Sequence, residues 1–183
     1  MVGERRRRLT WDLGCNTGEY SRIARQGADC VVSMDADQLA VERMYQALAS
    51  EGDGGILPLC CDLSDGSPNQ GWRGSERKDL LARGRPDLVL ALALIHHMVI
   101  GSNVPMESFV GWLADLGGEL VIEFVAKADP MVQTLLRNKE DKYSDYDQAR
   151  FEAALARHFE IASKESIAGG WRTMYHARPK KAD

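Results

Sequence analysis

Short apolar runs alternate with helix-length stretches along nearly the whole chain, and this alternation constrains the fold more than any other feature. Residues 9–13, 30–34, 56–61, 88–94 and 119–125 read as strands. Helical stretches at 19–26, 38–50 and 106–116 lie between them, the pattern of βαβ units on a parallel sheet. In the second helix Leu39, Val41, Met44, Ala47 and Leu48 fall near helical spacing. The run 88–94 is apolar throughout, as expected of a central strand covered on both faces. Residues 64–75 read as loop and 76–83 as a charged helix. Helices at 131–138 and 148–158 precede two last strands, 159–167 and 172–177, split by Gly169-Gly170. The expected class is α/β: a Rossmann-like, doubly wound sheet of about seven strands, mostly parallel, closing on an antiparallel C-terminal hairpin.

With 183 residues there is enough chain for one domain with a real core, and no internal repeat suggests a second. No apolar run approaches the roughly 18–20 residues that span a bilayer. Met1-Val2-Gly3-Glu4 leads into arginines at 5–8 and then a strand, with no apolar region of a secretory signal. The formal net charge of −4 argues against a broad nucleic-acid footprint. The arginine run reads as a solvated leader, with a phosphate contact as the alternative. The four cysteines form no CxxC pair, so a zinc knuckle is not expected. Cys30, Cys60 and Cys61 sit in strand-like runs and read as small buried hydrophobes of a cytoplasmic protein.

The chemistry-bearing signal is Asp12-Leu13-Gly14-Cys15-Asn16-Thr17-Gly18, between the first strand and the first helix. Glycines there let the backbone approach a ligand, and in a doubly wound sheet this loop lies at the carboxyl edge where ligands bind. Asn16 stands where another glycine would be common, and Asn tolerates left-handed geometry. Asp35 closes the second strand, where a carboxylate accepts hydrogen bonds from ribose hydroxyls, with Ala36 beside it. Asp62 follows the third strand, placed to accept an adenine amine, with Leu63 packing near the ring. Each acid is also explicable as a turn residue or helix cap. A nicotinamide dehydrogenase would need G-x-G-x-x-G, which Gly14, Asn16 and Gly18 do not supply. Asp12 suits a cationic amine and would repel a diphosphate.

On these residues the chain resembles the class I S-adenosylmethionine-dependent methyltransferases. The segment 12–18 looks like their first motif, Asp35 like their ribose-binding acid and Asp62 like their adenine-contacting acid. Pro86-Asp87-Leu88-Val89-Leu90-Ala91-Leu92-Ala93-Leu94-Ile95-His96-His97 looks like their fourth strand and the loop after it. Gly117-Gly118-Glu119-Leu120-Val121-Ile122-Glu123-Phe124 resembles their fifth strand. Gly71-Trp72-Arg73 and His96-His97 suggest a bacterial nodulation-type subgroup. The resemblance implies S-adenosyl-L-methionine as cofactor, with backbone contacts from Leu92 and Ala93 to its methionine part. It further implies methyl transfer to an oxygen or nitrogen of a small-molecule acceptor. Family members usually carry helices before the first strand, so the chain reads as a domain excised or truncated from a longer protein.

Methyl transfer from a sulfonium needs mainly in-line positioning, and a base only when the acceptor must lose a proton. His96, His97 and Glu123 are the candidate bases, the histidines equally explicable as loop-orienting groups. A metal held by these three is not expected, because side chains of adjacent histidines alternate on an extended segment. Trp72, Trp171, Tyr143 and Tyr146 are candidates for a substrate lid or for ordinary surface loops, and Trp112 for the core. Two rival functions remain: an RNA methyltransferase using arginines 5–8 with Arg22 and Arg25, and a cofactor-binding module without catalysis of its own.

Overall fold

A computed structural model describes residues 5–137 and 142–180. It divides into two compact units with the boundary between Val89 and Leu90. Met1-Val2-Gly3-Glu4 and Asn138, at the end of an expected helix, lie outside the described residues.

The first unit carries β1 (Arg7–Leu13), α1 (Glu19–Arg25), β2 (Ala28–Asp35), α2 (Gln38–Glu51), β3 (Ile56–Cys60) and a short α3 (Leu80–Arg83). β1 is parallel to β2, and β2 to β3. Asp37 starts α2 by accepting the Leu39 and Ala40 amides, and Gly52 ends it at φ 73°, where a side chain would be strained. The buried stripe of α2 is Ala40, Met44 and Leu48, spaced by four; Leu39 stands about 100° away and is exposed. That corrects its expected place in the apolar stripe. Met44 and Leu48 join Trp11, Leu13, Val31, Met34 and Ile56 in the core, each large apolar side chain contributing about 1.5–3 kcal/mol.

Three expectations for this unit change. β1 begins at Arg7, whose amide donates to Gly27 O at 2.8 Å and whose side chain is buried, so the arginine run enters the strand there, while Arg5 and Arg6 before it stay exposed. The charged helix shrinks to four residues, because Gln70 and Arg77 form a backbone bridge and Asp79 caps the first turn at the Ala82 amide. The loop before it holds two 3-10 turns, Leu63–Asp65 and Trp72–Gly74. Of the three cysteines expected to be buried, Cys30 and Cys61 are half-buried and Cys60, at the end of β3, is exposed, whereas Cys15 in the glycine turn is buried.

β4 (Leu88–Ala91) crosses the unit boundary. The second unit continues with a π-helical turn (His97–Gly101), α4 (Met106–Asp115), β5 (Glu119–Val125), α5 (Pro130–Leu136), α6 (Gln148–His158), β6 (Phe159–Ile167) and β7 (Arg172–Pro179). The strands form a seven-stranded sheet in the order β3-β2-β1-β4-β5-β7-β6. β7 runs antiparallel to both β5 and β6, the expected C-terminal hairpin. β4 stops three residues early because Ala93 turns left-handed at φ 49°. Phe124 stacks on Tyr146 and on Phe151, and Phe151 meets Tyr175 edge-on, each pair with ring centroids 5.2 Å apart. Tyr146 therefore belongs to the core, its hydroxyl donating to Val125 O at 2.7 Å, and not to a surface loop. Trp112 is only half-buried, stacked on Phe109.

Candidate functional site

In the first unit the glycine turn is tied to the tip of β2. The Gly14 and Cys15 amides donate to Met34 O at 2.8 and 3.0 Å. Gly14, Asn16 and Gly18 take φ of 73°, 49° and 82°, so the chain reverses through three left-handed residues. A Cβ on Gly18 would sit 2.6 Å from Sδ of Met44 and closer still to its Cε. The missing side chain is what lets the turn approach Met44 of α2 so closely.

Asp35 closes the arrangement. Its Oδ2 accepts the Asn16 N–H at 2.7 Å and its Oδ1 the Asp37 N–H at 2.9 Å. Each carboxylate oxygen keeps a lone pair for a further donor. The Asp35 carbonyl also accepts the Cys61 N–H at 2.8 Å, which brings the segment leading to Asp62 beside it. Ala36 is exposed next to these groups. Asp62 lies two residues past β3, and its Oδ1 takes the Ser64 N–H and hydroxyl at 2.8 and 2.7 Å. Those two bonds hold its carboxyl below the usual range. Leu63, half-buried, opens the turn that Asp62 caps.

Asp12 faces inward. It is 2% exposed, and its Oδ2 accepts the Ser21 hydroxyl at 2.5 Å, while the Ser33 hydroxyl donates to Ser21 at 2.8 Å. Burial pushes its pKa up to about 6; the Ser21 bond lowers it and the nearby Asp35 charge adds to the rise. The same burial, with the charges of Asp12 and Asp35, pushes the Cys15 thiol up to about 12, so it is no nucleophile near neutral pH.

The exit from β4 in the second unit is built on charge. The Ala93 N–H donates to Oε2 of Glu123 at 2.7 Å, and Leu92 beside it is half-buried. Oε1 of Glu123 lies 3.5 Å from Nη1 of Arg172. Arg172 Nε in turn meets Oδ2 of Asp129 at 2.7 Å, and Oδ1 of Asp129 caps α5 at the Met131 N–H. Burial alone would raise the Asp129 pKa, but the bonds from Arg172 and Met131 outweigh it and hold the carboxyl low. Glu123 thus reaches this site with both oxygens engaged. Arg172 and Asp129 were not anticipated: Asp129-Pro130 reads as a helix start, and nothing in the local sequence marks Arg172.

His96 is 1% exposed, and its Nδ1 has no hydrogen-bond partner. Burial drops its pKa to about 4, helped by His97 and Arg172 and opposed by Asp129, so the ring is neutral at pH 7. His97 is exposed, with its ring centroid 4.3 Å from that of His96. The segment is helical and not extended, which is why the two rings lie close. Among the described residues, no group of three or more His, Cys, Asp and Glu could hold a metal ion. Of the aromatic candidates, Trp72 and Trp171 are exposed, and Tyr143 bonds to Ile100 O and Asn103. Of the six arginines of the expected basic patch, Arg6, Arg8, Arg22 and Arg25 face Asp29, Asp87, Glu51 and Asp53.

The chain is similar to known structures over nearly its full length. It superposes on the N-methyltransferase NodS from Bradyrhizobium japonicum WM9, solved in complex with S-adenosyl-L-homocysteine, with a TM-score of 0.66 and 12% identity. The match covers 96% of this chain and 80% of that one. This is the class I S-adenosylmethionine-dependent methyltransferase fold. Another protein similar to it is PH0226 from Pyrococcus horikoshii OT3, with a TM-score of 0.67, 13% identity, and coverage of 97% and 84%. In sequence, the nodulation protein NoeA of Rhizobium meliloti (strain 1021) is 37% identical over 176 residues. That match takes in 96% of this chain and 37% of NoeA, so the methyltransferase fold here spans just over a third of NoeA's length. The nodulation-type resemblance is thereby met in sequence by NoeA and in fold by NodS. No family model matches the chain. No helix among the described residues is long and apolar enough to cross a membrane.

Proposed function

We propose that residues 1–183 work as a single S-adenosylmethionine-dependent methyltransferase domain, passing a methyl group to an oxygen or nitrogen of a small-molecule acceptor. The observation that carries this reading is the 2.7 Å bond from the Asn16 amide to Asp35. It joins a left-handed glycine turn to an acid that still has lone pairs to offer.

Bound S-adenosylmethionine supplies a methyl group already activated by its sulfonium. Asp35 accepts the ribose hydroxyls, and Gly14, Cys15, Asn16 and Gly18 present backbone to the ligand at close range. Asp62 accepts the adenine amine, with Leu63 against the ring and Ala36 leaving room beside it. Asp12 braces Ser21, and hence the start of α1, from beneath the turn. Backbone at Leu92 and Ala93 takes the methionine part. Glu123 is occupied by Ala93 and Arg172 and is set aside as a base. Of the two histidines, His97 at the surface is the one placed to meet the acceptor atom, and His96, buried beside it with an unpartnered ring nitrogen, is the alternative. Its low pKa keeps His96 neutral and unsuited to removing an acceptor's proton beforehand.

The small-molecule reading is favoured over RNA because four of the six arginines of the patch, Arg6, Arg8, Arg22 and Arg25, face acids in a chain of net charge −4. The free thiols suit a cytoplasmic setting. The share of NoeA that is matched supports a domain working within a longer polypeptide. Calorimetry with S-adenosylhomocysteine tests the reading: micromolar or tighter binding is expected, about −8 kcal/mol or better. A folded chain that gives no binding overturns it.

A further inference from the structure

The ion-pair chain behind Ala93 has a feature that the proposed chemistry does not use. Ala93 is a non-glycine residue in left-handed backbone, at φ 49°. Such a conformation persists only where its surroundings impose it. Here the imposing contact is the Glu123 carboxylate, 6% exposed, on the Ala93 N–H. A buried carboxylate must itself be held by a positive partner. That partner is Arg172, from the first position of β7, and Asp129 fixes Arg172 in turn. Glu123 and Asp129, six residues apart, and Arg172, more than forty residues later, thus form one chain of contacts that ends on the Ala93 amide.

We infer that Arg172 is a positioning residue, which sets the Ala93 turn by holding Glu123 against the Ala93 N–H. Asp129 aims the guanidinium at Glu123 and at the same time pins the start of α5, so the turn and α5 are fixed by one group. Arg is suited to this because its planar fork serves two carboxylates at once, through Nε and Nη1. The consequence for ligand affinity rests on the cofactor reading above, whereas the consequence for the Ala93 amide does not.

Two measurements on the full chain test the inference together. Hydrogen exchange at the Ala93 N–H should quicken about tenfold or more in Arg172→Ala and in Glu123→Ala, with Arg172→Lys partly restoring protection. Affinity for S-adenosylhomocysteine should fall about tenfold in the same two variants. Because Arg172 acts through Glu123, the double variant should bind no more weakly than Glu123→Ala alone, a non-additivity that general loss of stability would not produce. Lys164→Ala, which breaks the Lys164–Glu152 pair elsewhere in the same unit, should leave both readings unchanged. If Arg172→Ala leaves the Ala93 exchange rate unaltered, or if the two losses simply add, the inference is overturned. If the unmodified chain binds no S-adenosylhomocysteine while Ala93 exchange still quickens, the positioning role stands and the cofactor reading falls.

Discussion

Asp35 holds Asn16 at 2.7 Å through the backbone amide, so the acid at the end of β2 shapes the turn at the end of β1. Residues 19 apart in sequence are made neighbours by the parallel register that sets Asp12 against Ser33 and Leu13 against Met34. The same carboxylate holds the Asp37 amide, so it also anchors the start of α2. A group with two structural bonds and unspent lone pairs is well placed to add ligand bonds without moving.

Asp35→Ala should weaken S-adenosylhomocysteine binding at least about tenfold and lower stability by about 1–2 kcal/mol, because two amides lose their acceptor. Asp35→Asn, which keeps one carbonyl oxygen, should fall between the two. Calorimetry and urea denaturation read both effects. Equal affinity in all three proteins would remove Asp35 from the ligand site.

Gly18→Ala should cost about 1–3 kcal/mol, from a φ of 82° that disfavours a side chain and from the contact with Met44. Adding Met44→Ala should relieve the contact but not the backbone strain, so the double variant should recover part of the loss beyond what Met44→Ala alone removes. A double-variant cycle by chemical denaturation measures the coupling.

Two buried groups should give stability opposite dependences on pH. Asp12 has its folded pKa raised from 3.8 to about 6, so its contribution is fully present below about pH 4 and is lost as pH rises to 6. Relative to the unmodified chain, Asp12→Asn should therefore gain stability between pH 4 and 6, by on the order of 3 kcal/mol. His96 has its folded pKa lowered from 6.5 to about 4, so its contribution is present above pH 6.5 and is lost as pH falls. His96→Gln should gain relative stability in the other direction, from pH 6.5 down to 4. Denaturation curves at four or five pH values separate the two slopes, and parallel lines for either variant would contradict the burial assigned to that group.

Asp129→Ala should lower stability by about 2–4 kcal/mol, since it removes the α5 cap and leaves Arg172 with only its longer contact to Glu123. Asp129→Asn keeps an oxygen for the cap and should lose about half as much. Thermal melts compare the two; equal losses would mean that the cap contributes nothing beyond the ion pair.

Much of this molecule is legible along the chain, for one physical reason. Strand and helix periodicities are local, so β5, α6 and β6 lie at the residues their apolar patterns indicate. The glycine turn and the acids after β2 and β3 are legible too, because left-handed backbone and strand ends demand particular residue types in sequence order. The misreadings have non-local causes. The short α3 follows from a bridge between Gln70 and Arg77, and the burial of Tyr146 from Phe124, more than twenty residues earlier in the chain.

By itself, then, the sequence determined the order and kind of the elements and placed the chemically capable side chains near strand ends. Only the tertiary structure decided what those side chains are free to do. Glu123 reads as a candidate base until Ala93 and Arg172 occupy it, and Asp12 reads as a ligand group until Ser21 takes it into the core. Hydrogen-bond capacity is finite, and which donor uses it depends on distances in space that no local pattern encodes.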